Sequence, residues 1–350
     1  MNNQTYCVIM AGGRGERFWP VSTVKLPKPF IQLVNTKTLL QLTVDRILPY
    51  VPKERIIVIL GKDHYAVARK QLKGLSEKNF IREPEPRDTA PCIGYAARTL
   101  LKRDPEAVMV VVPADHYIPD VSRFIKVISH GVEVAKSREC LITIGVKPTR
   151  PETGYGYIRI GTKKLSTPHR VPLYTVTQFV EKPDITKART YAKNPHYFWN
   201  AGIFVWKASV IMDAIRQYMP DLYQGLQRLP VVRSGGIIDT GYTTLPKISI
   251  DYGVMEKSDN VCMIPGRFKW DDVGTWSALK RLVKNRQFMK GKHIETIDTT
   301  GCVIYSDIPV GIIGVSHLIV AATEHGVLVC DMNQAQKVRE IARRLNRVYP

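Results

Sequence analysis

An apolar run from Tyr6 to Met10 passes without a break into Ala11-Gly12-Gly13-Arg14-Gly15-Glu16-Arg17. Three glycines where a buried strand hands over to a loop place the segment at the edge of a sheet where α/β proteins bind phosphates. Without Cβ atoms the loop's N–H groups can close on an anion, and Arg14, Arg17, Lys25 and Lys28 bring four cations into the same stretch. The chemistry implied is on a polyphosphate. Two commoner glycine loops are excluded: the P-loop needs Gly-Lys-Ser/Thr after its spacer, and the dinucleotide fingerprint needs a third glycine where Phe18 stands.

Downstream, helical and strand-like segments alternate. Residues 38–51 carry Leu39, Leu42, Ile47 and Leu48 near helical spacing, and residues 55–60 form the short apolar run of a parallel strand. A helix over 63–72, a strand near Phe80, a helix over 89–102, a strand over 107–112, a helix over 122–136 and a strand over 140–146 follow. This alternation predicts an α/β fold with a doubly wound, mostly parallel sheet and helices on both faces. Beyond Asn285, apolar segments at 302–305, 310–313, 318–321 and 327–330 suggest a small β appendage resembling a few coils of β-helix, none able to bury its face alone. A helix beginning near Asn333, with Val338, Ile341 and Leu345 on one face and Arg343, Arg344 and Arg347 in its last turns, would close the chain. The expected division is a catalytic domain over 1–285 and a β-rich domain over 286–350.

Composition narrows the partners. Hydrophobic residues make up 44% of 350, enough for an ordinary core, and no apolar run approaches the roughly 20 residues that cross a bilayer. The start of the chain lacks a basic segment leading into a long apolar stretch, so the expectation is a cytoplasmic protein with no membrane partner. Cysteines 7, 92, 140, 262, 302 and 330 form no Cys-x-x-Cys pair and read as buried thiols. A formal charge of +20 would suit nucleic acid or small polyanions. The basic residues are spread along the chain, however, and their densest group lies on the last helix rather than among aromatics, which argues against a nucleic-acid partner.

Four further stretches carry chemistry. Glu83-Pro84-Glu85-Pro86-Arg87-Asp88-Thr89 lies between a strand and a helix, with Asp88 or Thr89 available as N-cap. Asp115, after the strand that ends near Pro113, stands at the sheet edge, where a carboxylate can hold Mg²⁺ through one oxygen; His116 is not needed, because Mg²⁺ prefers oxygen. Strands ending in Tyr155-Gly156-Tyr157, Glu181-Lys182-Pro183 and Trp199-Asn200-Ala201-Gly202 suit a polyhydroxyl ligand, with Asn200 pairing hydroxyls and Glu181 accepting two. Trp270-Asp271-Asp272-Val273-Gly274-Thr275-Trp276 reads as a strand end, a tight turn at Gly274 and a helix over 275–284. Segment 249–256, with Asp251 and Glu256, reads equally well as one turn of surface helix.

The run from Gly12 to Arg17, followed by Trp19-Pro20, Ser22 and Pro27-Lys28-Pro29-Phe30, resembles the signature of the sugar-1-phosphate nucleotidylyltransferases, and within them the mannose-1-phosphate guanylyltransferases. The family's usual Gln is Pro29 here, and its usual Asn is Asp88, whose carboxylate cannot donate as an amide does. The resemblance runs in consistent order over residues 6–345. It implies a Mg²⁺-dependent reaction of GTP with mannose 1-phosphate to give GDP-mannose and pyrophosphate, and a homodimer using the C-terminal piece. The implied nucleotide site comprises Ala11, Gly12, Gly13, Arg14, Gly15, Glu83, Arg87, Asp88 and Thr89. Gly156, Glu181 and Asn200 would contact the sugar, Lys182 or its neighbours the sugar phosphate, and the acidic residues of segment 249–256 would help shape the sugar and metal side of the cleft. Asp115 and Asp272 would share the metal, while Arg17 holds the departing pyrophosphate and Lys28 stabilises the α-phosphate. Two alternatives stay open: a uridylyl- or thymidylyltransferase for another hexose 1-phosphate, and a non-catalytic relative that binds nucleotide or nucleic acid.

Overall fold

The structure is a computed structural model that describes residues 4–13, 15–167, 172–232, 235–283 and 287–348. Arg14 of the glycine loop lies outside the described residues, as do positions 284–286, on which the expected domain boundary and the end of the 275–284 helix fall.

Nine strands form the main sheet: β1 (Thr5–Met10), β2 (Ile56–Gly61), β3 (Phe80–Glu83), β4 (Val108–Pro113), β5 (Leu141–Val146), β6 (Tyr157–Leu165), β7 (Leu173–Val180), β8 (Tyr197–Lys207) and β9 (Val261–Pro265). Their order is β3-β2-β1-β4-β8-β5-β9-β7-β6. Seven of the nine run in one direction and only β7 and β8 oppose them, so the sheet is mixed but mostly parallel. Strands β2, β4 and β5 are buried along almost their whole length, as their unbroken apolar sequences require when both faces are covered.

Seven helices accompany the sheet among the described residues, α1 (Leu39–Ile47), α2 (Tyr65–Gln71), α3 (Thr89–Leu101), α4 (Val121–Ser137), α5 (Ile185–Lys193), α6 (Ala208–Tyr218) and α7 (Pro220–Arg228), while α8 (Trp276–Leu282) packs against the C-terminal part. Leu40, Val44, Phe124 and Ile128, from α1 and α4, pack on one face. Ile93, Ala97, Ile211, Ile215 and Leu222, from α3, α6 and α7, pack on the other. The first helix starts on a capping box in which Thr38 accepts from the Gln41 amide, and the Gln41 side chain accepts from the Thr38 amide. Five of the six cysteines are buried and none is in a disulfide. Among the described residues no helix is long and apolar enough to cross a membrane.

Antiparallel β8 is wedged between parallel β4 and β5, a placement that no local pattern announced. Successive side chains on a strand point to opposite faces, so Trp199 enters the core under α4 while its neighbour Asn200 faces the open edge.

The C-terminal part stacks β10 (Phe288–Gly291), β12 (Val303–Ser306) and β14 (Leu318–Thr323) in parallel, and pairs β11 (Ile294–Ile297) with β13 (Val310–Ile313). The expected coils are therefore present. The last of them is instead a hairpin: β15 (Gly326–Asp331) returns antiparallel on β14, because the two residues between them cannot carry the chain back for a parallel strand. Residues 332–337 form a tighter 3₁₀ segment, and α9 (Val338–Val348) begins later than expected. Val303, Ile319 and Leu328 pack against Phe18, Val21, Trp276 and Leu279, and Arg343 reaches Glu16 at 3.0 Å. The appendage thus backs the glycine loop and the Trp270–Trp276 turn.

Candidate functional site

The glycine loop leaves β1 with Ala11 buried and its N–H donating to the Ile59 carbonyl at 2.8 Å, while Gly12 and Gly13 stand in the open. Gly15 has φ 63°, and a Cβ there would lie 2.5 Å from the Lys28 Cβ. Only glycine lets the loop close over the lysine. Ser22 fixes this fold-back by donating its hydroxyl to the Gly15 carbonyl at 2.6 Å, and Arg17 donates to the Gly274 carbonyl at 3.3 Å.

Lys28 is buried, and its Nζ lies 2.8 Å from Asp115 Oδ2 and 2.5 Å from the backbone carbonyl of Asp272. Asp272 Oδ1 accepts from the Tyr155 hydroxyl at 2.6 Å and from the Gly274 N–H at 3.0 Å. Two aspartates from distant parts of the chain therefore meet around one ammonium. Burial pushes the Asp115 carboxyl up, but the Lys28 ammonium and His116 outweigh it and hold the group below the usual range. Burial takes His116 down to about 4, leaving a neutral ring whose Nδ1 accepts from Trp270 Nε1 at 3.1 Å. The neighbouring Asp271 is engaged elsewhere, taking a two-pronged contact from Arg281 and the N–H of Val273, whose φ of 48° is costly for a β-branched residue.

The donor set fits a hard cation. Lys28 already shows that positive charge is stable between Asp115 and the Asp272 carbonyl. Oxygen donors such as the Asp115 carboxylate suit Mg²⁺, and the neighbouring His116 turns its Nδ1 to Trp270 instead.

Asn200, expected to contact the sugar, is fully oriented. Its Oδ1 accepts from the Thr143 hydroxyl at 3.0 Å and the Gly202 N–H at 3.1 Å, and its Nδ2 donates to Asp251 Oδ1 at 2.9 Å. A Cβ on Gly156 would run into the Glu181 carboxylate, which explains the glycine. Glu181 pairs with Lys182 at 2.7 Å, and its N–H donates to Glu256 at 3.0 Å. Burial first, and the Glu181 charge second, push Asp251 up to about 7. The 249–256 segment is not a plain surface turn: Gly253, Val254 and Met255 are buried, and Asp251 accepts from Asn200.

In the remaining segment, Glu83 is buried and accepts from the Tyr242 hydroxyl at 2.6 Å, with burial raising it to about 7. It underpins the loop. Asp88, at φ 67°, caps α3 by accepting from the Thr89 N–H, and the Thr89 hydroxyl accepts from the Ile250 N–H at 2.8 Å, tying this loop to Asp251. Arg87 keeps a buried Nε without a partner.

Residues 6–287 match the family model described as Nucleotidyl transferase, and residues 291–345 match the MannoseP isomerase/GMP-like beta-helix domain. The chain is 33% identical over 355 residues to the mannose-1-phosphate guanylyltransferase of Escherichia coli (strain K12), covering 98% of this chain and 74% of that protein. The chain belongs to the mannose-1-phosphate guanylyltransferase family. A second guanylyltransferase, mannose-1-phosphate guanylyltransferase 2 of Escherichia coli O157:H7, is 36% identical over 358 residues, covering 97% of this chain and 73% of that one. A crystal structure from Thermus thermophilus, described as a mannose-1-phosphate geranyltransferase, superposes with a TM-score of 0.88 at 38% identity, covering 98% and 99% of the two chains.

Within this guanylyltransferase framework, the residues left without a role by the sequence are Tyr155 and Tyr242. Tyr155 lies between two glycines next to an assigned position, which was the available signal. Tyr242 had none, since its partner Glu83 lies 159 positions away, whereas Asp251 stands in the 249–256 segment that the resemblance covers and bonds to Asn200, 51 positions away.

Proposed function

We propose that this chain joins GTP and mannose 1-phosphate to give GDP-mannose and pyrophosphate. The observation that carries the reading is the Lys28 ammonium held between Asp115 and Asp272 at the mouth of the glycine loop. A phosphate oxygen of the sugar phosphate attacks the α-phosphorus of GTP, the bond from that phosphorus to the bridging oxygen breaks, and pyrophosphate leaves with the electron pair. The nucleophile is already anionic, so no covalent enzyme intermediate and no general base are required. Positioning and charge stabilisation are what the protein must supply.

The amides of Gly12, Gly13 and Gly15, together with Arg17, are assigned to the departing β- and γ-phosphates. Lys28 is assigned to the α-phosphate, whose oxygen would exchange for the Asp272 carbonyl on the ammonium. Asp115 and Asp272 would hold Mg²⁺, which when bound supplies neutralising charge to phosphate oxygens. Asn200 and Glu181 are assigned to the hexose hydroxyls, with Asp251 fixing the amide of Asn200. The loop from Glu83 to Thr89 is assigned to base and ribose, Glu83 acting from beneath through its bond to Tyr242.

Pyrophosphate release, measured with Mg²⁺ while GTP, ATP, UTP and dTTP are crossed against mannose, glucose and fucose 1-phosphates, tests the reading. GTP with mannose 1-phosphate should dominate. Dominance of another pair removes the substrate assignment, and no release from any pair removes the catalytic one.

A further inference from the structure

Behind the Trp270–Asp272 segment, on the side of α4 and α8, lies a cleft of about 460 Å³ that the proposed reaction does not use. Six cations line it: Arg123, Lys147, Arg150, Arg267, Lys269 and Arg281. Among the described residues the only carboxylate in the lining is Asp271, which Arg281 occupies at 2.9 Å. Asp120 pairs with Arg123 and Glu152 with Arg150, so Lys147, Arg267 and Lys269 have no carboxylate within ion-pair distance among the described residues. Lys147 spends its ammonium on the Pro195 carbonyl at 2.7 Å, and Arg267 has no hydrogen-bond or ion-pair partner among the described residues. Trp199, Trp270 and Phe268, all buried, contribute aromatic surface to the wall, with the Arg150 guanidinium 4.9 Å over Trp199.

We infer that this cleft binds a small organic phosphate, distinct from the nucleotide and the sugar phosphate of the proposed reaction. Its volume is that of a small-molecule site. Like charges crowd one concavity, which focuses potential on an anion and leaves the unoccupied protein with uncompensated repulsion. A flat basic stripe would suit a nucleic-acid backbone; here the cations surround a bowl with aromatic walls, which suits a phosphorylated hexose or nucleoside.

The cleft is also wired to the metal side. Arg150 donates to the Tyr155 hydroxyl at 3.2 Å, and Tyr155 donates in turn to Asp272 at 2.6 Å. An anion that draws Arg150 toward itself changes the support of Tyr155, and the coupling runs equally in reverse. This consequence rests on the assignment of Asp272; the binding itself does not.

The test uses the full chain with GTP present, so that the nucleotide cleft is filled, and titrates fructose 1,6-bisphosphate while following tryptophan emission, for which Trp199 and Trp270 are the local reporters. A saturable change is expected. It should weaken by at least about tenfold in the double variant Arg267→Glu/Lys269→Glu, whose exposed side chains lack carboxylate partners, with GTP affinity unchanged. Sulfate at matched ionic strength should not reproduce it. Absence of saturable binding, equal binding by the double variant, or displacement of the probe by a DNA duplex or anionic vesicles at lower concentration would each overturn the inference. If turnover proves absent but the probe binds with this pattern, the site stands while the catalytic reading falls.

Discussion

Tyr155 and Asp272, 117 positions apart, share a 2.6 Å hydrogen bond in which the phenol donates to the carboxylate oxygen. Together with the Gly274 N–H it leaves Asp272 Oδ1 occupied, so the carboxylate has one fixed orientation. Tyr155→Phe keeps the aromatic packing on Trp199 and Trp270 and deletes the hydroxyl, which donates to Asp272 and accepts from Arg150 at 3.2 Å. Turnover should fall about tenfold or more, the worth of one hydrogen bond to a charged group, and the Mg²⁺ concentration giving half-maximal rate should rise. A rate change without a shift in Mg²⁺ requirement would separate Tyr155 from Asp272.

Lys28→Met retains the buried stem of the lysine and removes its charge. Loss of one charge-assisted contact to the reacting phosphate predicts a fall of about a hundredfold, ~3 kcal/mol, in turnover. Asp115 keeps partial access to water, with 28% of its side chain exposed, so the thermal midpoint should move far less than the rate. Steady-state kinetics beside a melting curve decides it, and near-normal turnover removes Lys28 from the mechanism.

Gly156→Ala drives a methyl group into the Glu181 carboxylate. The expected result is a raised KM for the sugar phosphate with the KM for GTP little changed, since Glu181 and Asn200 border the added atom. An equal rise in both constants would indicate that the whole cleft had shifted.

Glu83 and Asp251 are each pushed up to about 7, chiefly by burial. In the unfolded chain both ionise near 4, so between about pH 4 and 7 the native state binds more protons than the unfolded state. Stability contributed by these groups must therefore fall as pH rises through that window. Urea unfolding of Asp251→Asn should show a flatter decline between pH 5 and pH 8 than the parent chain, and an unchanged decline would contradict the assignment.

Much of the nucleotide half was readable because its information is local. An apolar run followed by glycines announces β1 and its loop, and Asp115 stands just past the end of a strand whose burial follows from unbroken valines. The sugar half was harder. Asn200 and Glu181 could be found as polar groups at strand ends, but the clamp of Thr143, Gly202 and Asp251 on Asn200 depends on β8 entering the sheet between β4 and β5, and pairings over such separations leave no periodic trace. Helix α9 begins late because residues 332–337 form a 3₁₀ segment capped by Asp331, whose side chain accepts from the Asn333 N–H.

Strand β8 bonds to β4 on one side and β5 on the other, with Gly145 opposite Asn200 and Val146 opposite Trp199. A slip of one position would turn an indole toward the ligand and an amide into hydrocarbon. Misregister is thus punished twice, once in the core and once at the pocket. The partners of β8 lie far from it in the chain, Val108 opposite Lys207 and Ile142 opposite Val205, so the pairing is non-local on both sides. The register of β8 therefore serves two ends at once: the same pairing that seats Trp199 in the core presents Asn200 to Thr143 and Asp251.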